Sequence, residues 1–292
     1  MPCRSPLLGY RKPDGSVGFS RNDTSGRFAH LTLSCGVCID CRIRKARDWA
    51  IRCAHEAQTQ TRSSFLTLTY ASDPGSISKR DLQLFFKQLR NQGSRFTYFA
   101  CGEYGEQFAR PHYHVCMFGE DFPDKYAWNR AKGGVLYRSD KLEKAWPHGH
   151  AKIGSLTDKS AGYTARYNLK KITGDKSIDH YMREFNGFNI NIQPEFQLQS
   201  TRPAIGLEWI RRYWKDVFPR DEVVFNGKTY QPPDYYMRWL KHNQPEMHTE
   251  VLERRIEAQR DAPFESGERQ YFAAKARDGK YKSLKRDYEN TN

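Results

Sequence analysis

The chain has 292 residues, enough to bury one sizeable core or one core with an appendage. Lysine and arginine total 48 against 34 aspartate and glutamate, a net charge of +14, and such an excess points to a polyanionic partner, nucleic acid first. No apolar run approaches the roughly 18 residues of a membrane span, and Met1-Pro-Cys-Arg-Ser-Pro6 lacks a signal-type hydrophobic region, so a cytoplasmic location without membrane contact is expected.

Residues 1–30 are rich in Pro, Gly, Ser and Asn and read as irregular, with Cys3 the residue of note. Next comes Cys35-Gly-Val-Cys38-Ile-Asp-Cys41. Seven cysteines in a reducing compartment favour metal ligation or free thiols over disulfides. Cys3, Cys35, Cys38 and Cys41 suffice for a closed tetrahedral zinc site. An iron–sulfur cluster also needs thiolates, but no electron-transfer motif accompanies these. Residues 40–60 read as a helix. Ile43, Ala46, Trp49, Ala50 and Ala54 recur at three- and four-residue steps and make a packing face, while Arg42, Arg44, Lys45, Arg47 and Arg52 make the rest basic. A solvated basic face has the same pattern; the net charge tips the reading towards phosphate contact.

Ser64–Tyr70 is β-branched and aromatic and reads as a strand. A turn through Asp73-Pro-Gly75 leads to a helix capped near Ser78, with Leu82, Phe85, Phe86 and Leu89 on one stripe. Phe96–Cys101 is the next strand, closing in Gly102-Glu103, and Tyr104–Pro111 returns the chain into a strand over His112–Phe118. Side chains alternate along a strand, so His112 and His114 share one side and Tyr113, Val115 and Met117 the other. A lone His-X-His pair can be polar surface. If the two strands are antiparallel neighbours, however, Glu103 sits beside His112 and completes a metal-ligand set, with Glu106 in reserve. Residues 120–150 read as a long irregular connection. Its second pair, His148-Gly-His150, reads as a surface turn, because Pro147 and glycine surround it and no carboxylate is placed to join it. Ala151–Gly154 is a short strand.

Thr157 is a good N-cap for a helix to Lys171, and Asp158 suits its first turn. At about 100° per residue, Ala161, Ala165, Leu169 and Ile172 face one way, and Tyr163, Tyr167 and Lys170 the other. The two phenols are one turn apart, roughly 5–6 Å at Cβ, and each is followed three residues later by a base, Arg166 and Lys170. Residues 175–240 read as a further α+β portion, with Trp209, Tyr213, Trp214 and Phe218 on a helix. The strand Val223–Phe225, the turn Asn226-Gly227 and the packing pair Tyr235 and Tyr236 follow. From Gln244 on, charges dominate and exposed helices ending in disorder are expected. The chain thus divides into a Cys-rich basic segment (1–60), a core (61–175), an α+β portion packed on it (176–243) and a charged helical tail (244–292).

Metal ligands on a rigid sheet, paired tyrosines on a helix and a large positive charge meet in one chemistry, metal-assisted cleavage of DNA by tyrosine. A free phenol is only about 0.1 per cent ionised at pH 7. A metal can polarise and align the scissile phosphate while Lys170 or Arg166 steadies developing charge. Attack by tyrosine conserves the bond energy in a phosphotyrosine, which attack by water would lose.

Arg110-Pro-His-Tyr-His114 resembles the HUH motif of rolling-circle replication initiators, and Tyr163-x3-Tyr167-x2-Lys170 resembles their two-tyrosine motif. Cys3, Cys35-Gly-x-Cys38-x2-Cys41, Phe65-Leu-Thr-Leu-Thr-Tyr70, Glu103-Tyr-Gly and Pro232-Pro-x-Tyr-Tyr236 are similar to replication initiation proteins of gokushovirus-type microviruses, small single-stranded DNA bacteriophages. The resemblance implies an α+β, HUH endonuclease-like antiparallel sheet with flanking helices. It further implies a Mg²⁺- or Mn²⁺-dependent nick of single-stranded origin DNA that leaves a 5′-phosphotyrosine and a free 3′-hydroxyl, with later religation of the displaced strand. Host helicase and DNA polymerase would be the partners, in the bacterial cytoplasm, and Arg110 and Arg166 would join the basic helix in contacting DNA. Imidazoles suit Mn²⁺ or softer ions better than Mg²⁺. Two other readings stand beside this one, a non-catalytic zinc-stabilised nucleic-acid-binding regulator and a single-tyrosine transposase.

Overall fold

The computed structural model describes residues 3–12, 16–19, 30–105, 108–131, 134–166, 171, 174, 176–260 and 267–282. The N-terminal stretch is more ordered than its composition suggests. Strands β1 (Leu7–Arg11), β2 (Val17–Gly18) and β3 (His30–Leu33) pair antiparallel in the order β2-β1-β3. Tyr10 of β1 is buried while Leu7 and Leu8 stay exposed, and the run is too short to stand out in sequence.

Helix α1 (Ile39–Gln58) follows, then β4 (Ser63–Tyr70), α2 (Lys79–Asn91), β5 (Thr97–Tyr104) and β6 (Pro111–Phe118). Ser78 caps α2, its hydroxyl accepting from the Asp81 amide, which satisfies one of the donors a helix start leaves open. The expected irregular connection over 120–150 is instead a hairpin and a helix: β7 (Tyr126–Ala131), β8 (Gly134–Arg138) and α3 (Asp140–Ala145), before β9 (Gly149–Gly154). The hairpin hides in sequence because a register shift between Ala127 and Asn129 breaks the period-two alternation that marks a strand. Helix α4 (Asp158–Ala165) begins with a reciprocal cap between Thr157 and Ser160. Beyond it lie α5 (Lys176–His180), the hairpin β10 (Met182–Phe185) and β11 (Phe188–Asn191), and β12 (Phe196–Gln199). The chain continues through α6 (Leu207–Val217), the hairpin β13 (Val223–Phe225) and β14 (Lys228–Tyr230), α7 (Asp234–Asn243), α8 (Pro245–Arg260) and α9 (Gly267–Lys282).

Seven of these strands form one sheet, antiparallel throughout, in the order β12-β5-β6-β4-β9-β8-β7. The fold is therefore mixed α+β around a large antiparallel sheet. One face carries Leu66, Leu68, Tyr113, Val115 and Met117 against the α2 stripe Leu82, Phe85, Phe86 and Leu89 and against Trp146 beyond α3. Each stripe residue is at most 1% exposed, and burial of such a side chain contributes about 1.5–3 kcal/mol. The opposite face, with Phe65, Phe99, Cys116 and Phe118, packs Ala46, Ala50 and Cys53 of α1 and Ala161, Tyr163 and Ala165 of α4. Gly149 lies where β9 crosses the end of β4. A Cβ there would sit 2.3 Å from the Ala71 amide nitrogen, so the strand closes against β4 only with glycine.

A third cluster joins Ile51 of α1 to Ile210, Phe218, Tyr236, Leu240 and Val251. Buried polar groups tie the same helix down. Glu56 accepts from the Thr97 hydroxyl and the Gly206 amide, both at 2.7 Å, and Arg52 donates twice to the Ile205 carbonyl. The charged tail, expected to be exposed, is anchored twice. Val251 is fully buried, and on α9 Arg277 pairs with the buried Asp40 while Asp278 pairs with Arg4. Among the described residues no helix is long and apolar enough to cross a membrane.

Candidate functional site

The strand register puts Glu103 of β5 directly opposite His112 of β6. Residues paired in an antiparallel ladder share a face, and so do residues two apart on one strand, so His114 joins them. Glu103 Oε1 lies 3.8 Å from His112 Nε2 and 3.4 Å from His114 Nε2. Glu103 and His114 are 2% and 1% exposed, whereas His112 is half-buried and opens the group to solvent.

Each imidazole is oriented through its other nitrogen. His112 Nδ1 is 3.1 Å from the Arg110 carbonyl oxygen; a carbonyl only accepts, so Nδ1 carries a proton, and in the neutral ring the Nε2 lone pair is left for a cation between it and Glu103. His114 Nδ1 lies 3.2 Å from the Thr67 hydroxyl, and its ring stacks on Phe65. The three candidate ligand atoms lie within 4.8 Å of one another. Two imidazole nitrogens, each ring held through its other nitrogen, and a carboxylate oxygen, in a group open at His112, fit a divalent transition-type ion with coordination positions left for a substrate. Glu106 lies outside the described residues.

Tyr163 packs edge-on against His114, with ring centroids 5.0 Å apart at 89°. The sequence placed this phenol opposite the packing face of its helix, but α4 is held on more than one side and Tyr163 is only 5% exposed. Arg166 forms the C-cap of α4, with its guanidinium 5.9 Å from the Tyr163 ring. Tyr167 and Lys170 lie outside the described residues.

The register also adds a residue that sequence reasoning missed. Thr67 pairs with His114 on one side and with Lys152 of β9 on the other. Lys152 therefore lies on the face that carries the candidate ligands, and burial lowers its pKa below the ordinary lysine value. Alternation within Ala151–Gly154 could have shown that Lys152 and His150 share a face, but not which face. His148 sits against the rings of Tyr70 and Trp146, His150 is exposed, and neither belongs to a cluster of potential metal ligands among the described residues.

The second cluster is Cys3, Cys35, Cys38 and Cys41. The Cys3 and Cys38 sulfurs are 3.8 Å apart. A tetrahedron with zinc–sulfur bonds of about 2.3 Å has edges of about 3.8 Å, so the spacing fits. The Cys35 and Cys38 amides donate to the Cys3 and Cys35 sulfurs, both at 3.3 Å. Burial pushes the Cys41 thiol up to about 12. Cys38, raised by burial but brought down further by backbone amides and neighbouring thiols, falls to about 6. Four thiols this close cannot all ionise without a cation to hold them.

The basic face of α1 divides. Arg52 is buried between Trp49 and Tyr235, 4.1 and 4.2 Å from their rings, and is a packing residue. Arg47 lies over Tyr230 and near Asp48. Arg44 and Lys45 line an open cavity of about 300 Å³ with Asp48, Asp234 and Arg238, and Arg42 is half-buried beside them. Arg110 donates to the carbonyls of Tyr70 and Ala71, which fastens the start of β6 to the end of β4.

The family model for the replication-associated protein ORF2/G2P matches residues 63–172, the span that holds both candidate ligands and tyrosines. Replication-associated protein VP4 of Bdellovibrio phage phiMH2K is 34% identical over 261 residues, covering 84% of this chain and 79% of its own. Replication-associated protein ORF2 of Spiroplasma virus 4 is 26% identical, covering 82% of this chain and 81% of its own. ORF4 of Chlamydia phage 1 is also 26% identical, over 72% of this chain and 53% of its own length. No solved structure matches the chain. The chain belongs to the replication-associated proteins of the microviruses, with a role in viral DNA replication.

Proposed function

We propose that the protein is an HUH-type endonuclease and strand transferase that starts rolling-circle replication by nicking single-stranded origin DNA. The observation that carries this is the convergence of His112, His114 and Glu103 beside Tyr163 in a chain of this family. Glu103, His112 and His114 would hold Mn²⁺ or Mg²⁺, which supplies Lewis-acid polarisation of the scissile phosphate. Thr67 and the Arg110 carbonyl hold the imidazoles, so the ligands need no rearrangement. The low exposure of Glu103 and His114 keeps water from competing at the back of the site.

In the cleavage step a tyrosine oxygen attacks phosphorus and the bond from phosphorus to the 3′ oxygen breaks. The phenolic proton ends on the departing 3′ oxygen, so the products are a 5′-phosphotyrosine and a free 3′-hydroxyl. Arg166 offers positive charge beside the phenol, and Lys170 is the second candidate base. Reversal, with a displaced strand's 3′-hydroxyl attacking the linkage, returns the proton to tyrosine and closes a circle. The 3′-hydroxyl is a primer for a host polymerase, and unwinding ahead of it calls for a host helicase. The cysteine cluster would hold a structural zinc.

The test is an incubation with tiled single-stranded oligonucleotides of the phage genome and Mn²⁺. A covalent protein–DNA adduct that maps to tyrosine and disappears with EDTA is expected. Metal-dependent cleavage without an adduct means water is the nucleophile, and no cleavage leaves a binding protein.

A further inference from the structure

We propose that Trp128 is a stacking platform for one unpaired base of single-stranded DNA, presented on the β7–β8 hairpin and leading to the Glu103, His112 and His114 group. The inference rests on the endonuclease reading only for what happens at that group. Trp128 is the extra residue of a β-bulge: Ala127 pairs with Tyr137 and Asn129 with Leu136, which leaves Trp128 without an opposite residue. A bulge turns a side chain out of the regular alternation, and bulges gather at sheet edges and beside functional sites. Here the strand is the sheet edge, and the indole it turns out is 44% exposed, with Tyr126 nearby at 48%.

The surroundings decide the partner. Lys152 Nζ lies 5.2 Å from the Trp128 ring and Arg138, itself paired with Glu143, lies 5.9 Å away; Arg130 is exposed two residues on. An aromatic plane among cations fits a base and its flanking phosphates, whereas an apolar protein partner would have to bury those charges. The path to the candidate site is direct. Lys152, Thr67 and His114 occupy one row on three adjacent strands, two strand spacings or about 10 Å, which is about three stacked nucleotides at 3.4 Å each. A strand whose base rests on Trp128 runs along this row with its phosphates over Lys152.

The test measures binding of a fluorescent oligothymidylate, without divalent metal, as a function of salt. Trp128→Ala should weaken binding about fivefold to a hundredfold, the worth of one stacked base. It should leave the slope of log affinity against log salt unchanged, because no phosphate contact is lost. Trp128→Phe should recover most of the affinity, and binding to duplex DNA should not move. In the wild-type chain, an oligonucleotide carrying 5-iodouracil should crosslink to Trp128 on irradiation, which needs no variant to fold. Trp128→Ala binding like wild type, or crosslinks mapping elsewhere, overturns the platform. A protein that shows these effects but never forms an adduct overturns the endonuclease reading and leaves the platform standing.

Discussion

The carbonyl oxygen of Arg110 lies 3.1 Å from His112 Nδ1, and it determines which imidazole nitrogen faces Glu103. A metal-binding histidine needs its other nitrogen committed to a donor role, and here the strand's own backbone provides that acceptor two residues away. The Arg110 guanidinium meanwhile grips the Tyr70 and Ala71 carbonyls. This arginine, read from sequence as a DNA contact, thus also sets the position of the first candidate ligand.

His112→Ala and His114→Ala should each abolish metal-dependent nicking. The loss should exceed the roughly 10–100-fold that removal of an outer partner costs. Affinity for single-stranded DNA should stay within a few-fold, since phosphate contacts supply most of it. Nicking assays and anisotropy titrations on the same variants check this. Nicking at near wild-type rate in either variant removes the metal group from the mechanism.

One zinc per chain is expected at Cys3, Cys35, Cys38 and Cys41, measured by elemental analysis. Chelation should do more than loosen the four-cysteine cluster. Arg4, next to Cys3, and Asp40, next to Cys41, hold Arg277 and Asp278 of α9, so removal of the ion should expose α9 to protease. An intact fold with neither zinc nor iron reduces the cluster to plain thiols.

His55 gives the fold an acid limit. Burial against Trp209 and Tyr236 lowers its pKa to about 3, against an ordinary value of about 6.5. Between these values the unfolded chain takes up a proton that the folded chain refuses. The stability that His55 contributes is therefore complete above about pH 6.5 and is lost as the pH drops, by up to about 1.4 kcal/mol per unit. The melting temperature of the wild type should fall between about pH 7 and about pH 5, and His55→Gln should melt lower at neutral pH but with a flatter dependence. Equal slopes in the two proteins rule out His55 as the sensor.

The grouping of Glu103, His112 and His114 is legible because its signals are local: His-X-His on an apolar strand, and a glutamate closing the strand before it. Lys152 is not legible, since its place near His114 depends on β9 pairing with β4 across the 78 residues between Tyr70 and Gly149, which no local pattern records. The β7–β8 hairpin is hidden because the bulge at Trp128 breaks the alternation that marks a strand. Arg52 shows the converse. It reads as one more basic residue on a basic helix, yet it is walled in by two aromatic rings and the Ile205 carbonyl, and only tertiary packing distinguishes it from Arg44 or Lys45.

The two tyrosines decide between a two-nucleophile initiator and a single-nucleophile relative. An initiator must cut, hold the 5′ end, and cut the regenerated origin after one round. A second phenol can take the new 5′ end while the displaced 3′-hydroxyl attacks the first linkage. Tyr163 is edge-on to His114 and only 5% exposed, so its oxygen reaches a phosphate only if α4 shifts or the DNA enters deeply. Tyr167, four residues on in the sequence, lies outside the described residues. If both act, Tyr163→Phe and Tyr167→Phe should each keep some single cleavage and lose circle release, and the double variant should form no adduct. Removal of the Tyr163 hydroxyl leaves the ring on His114, so loss of transfer is read against the melting temperature of the same variant. Adduct mapping with a suicide substrate, run on both single variants, reads the outcome directly. Should Tyr163→Phe complete every step at wild-type rate, Tyr163 serves to seat the imidazole and Tyr167 is the sole nucleophile.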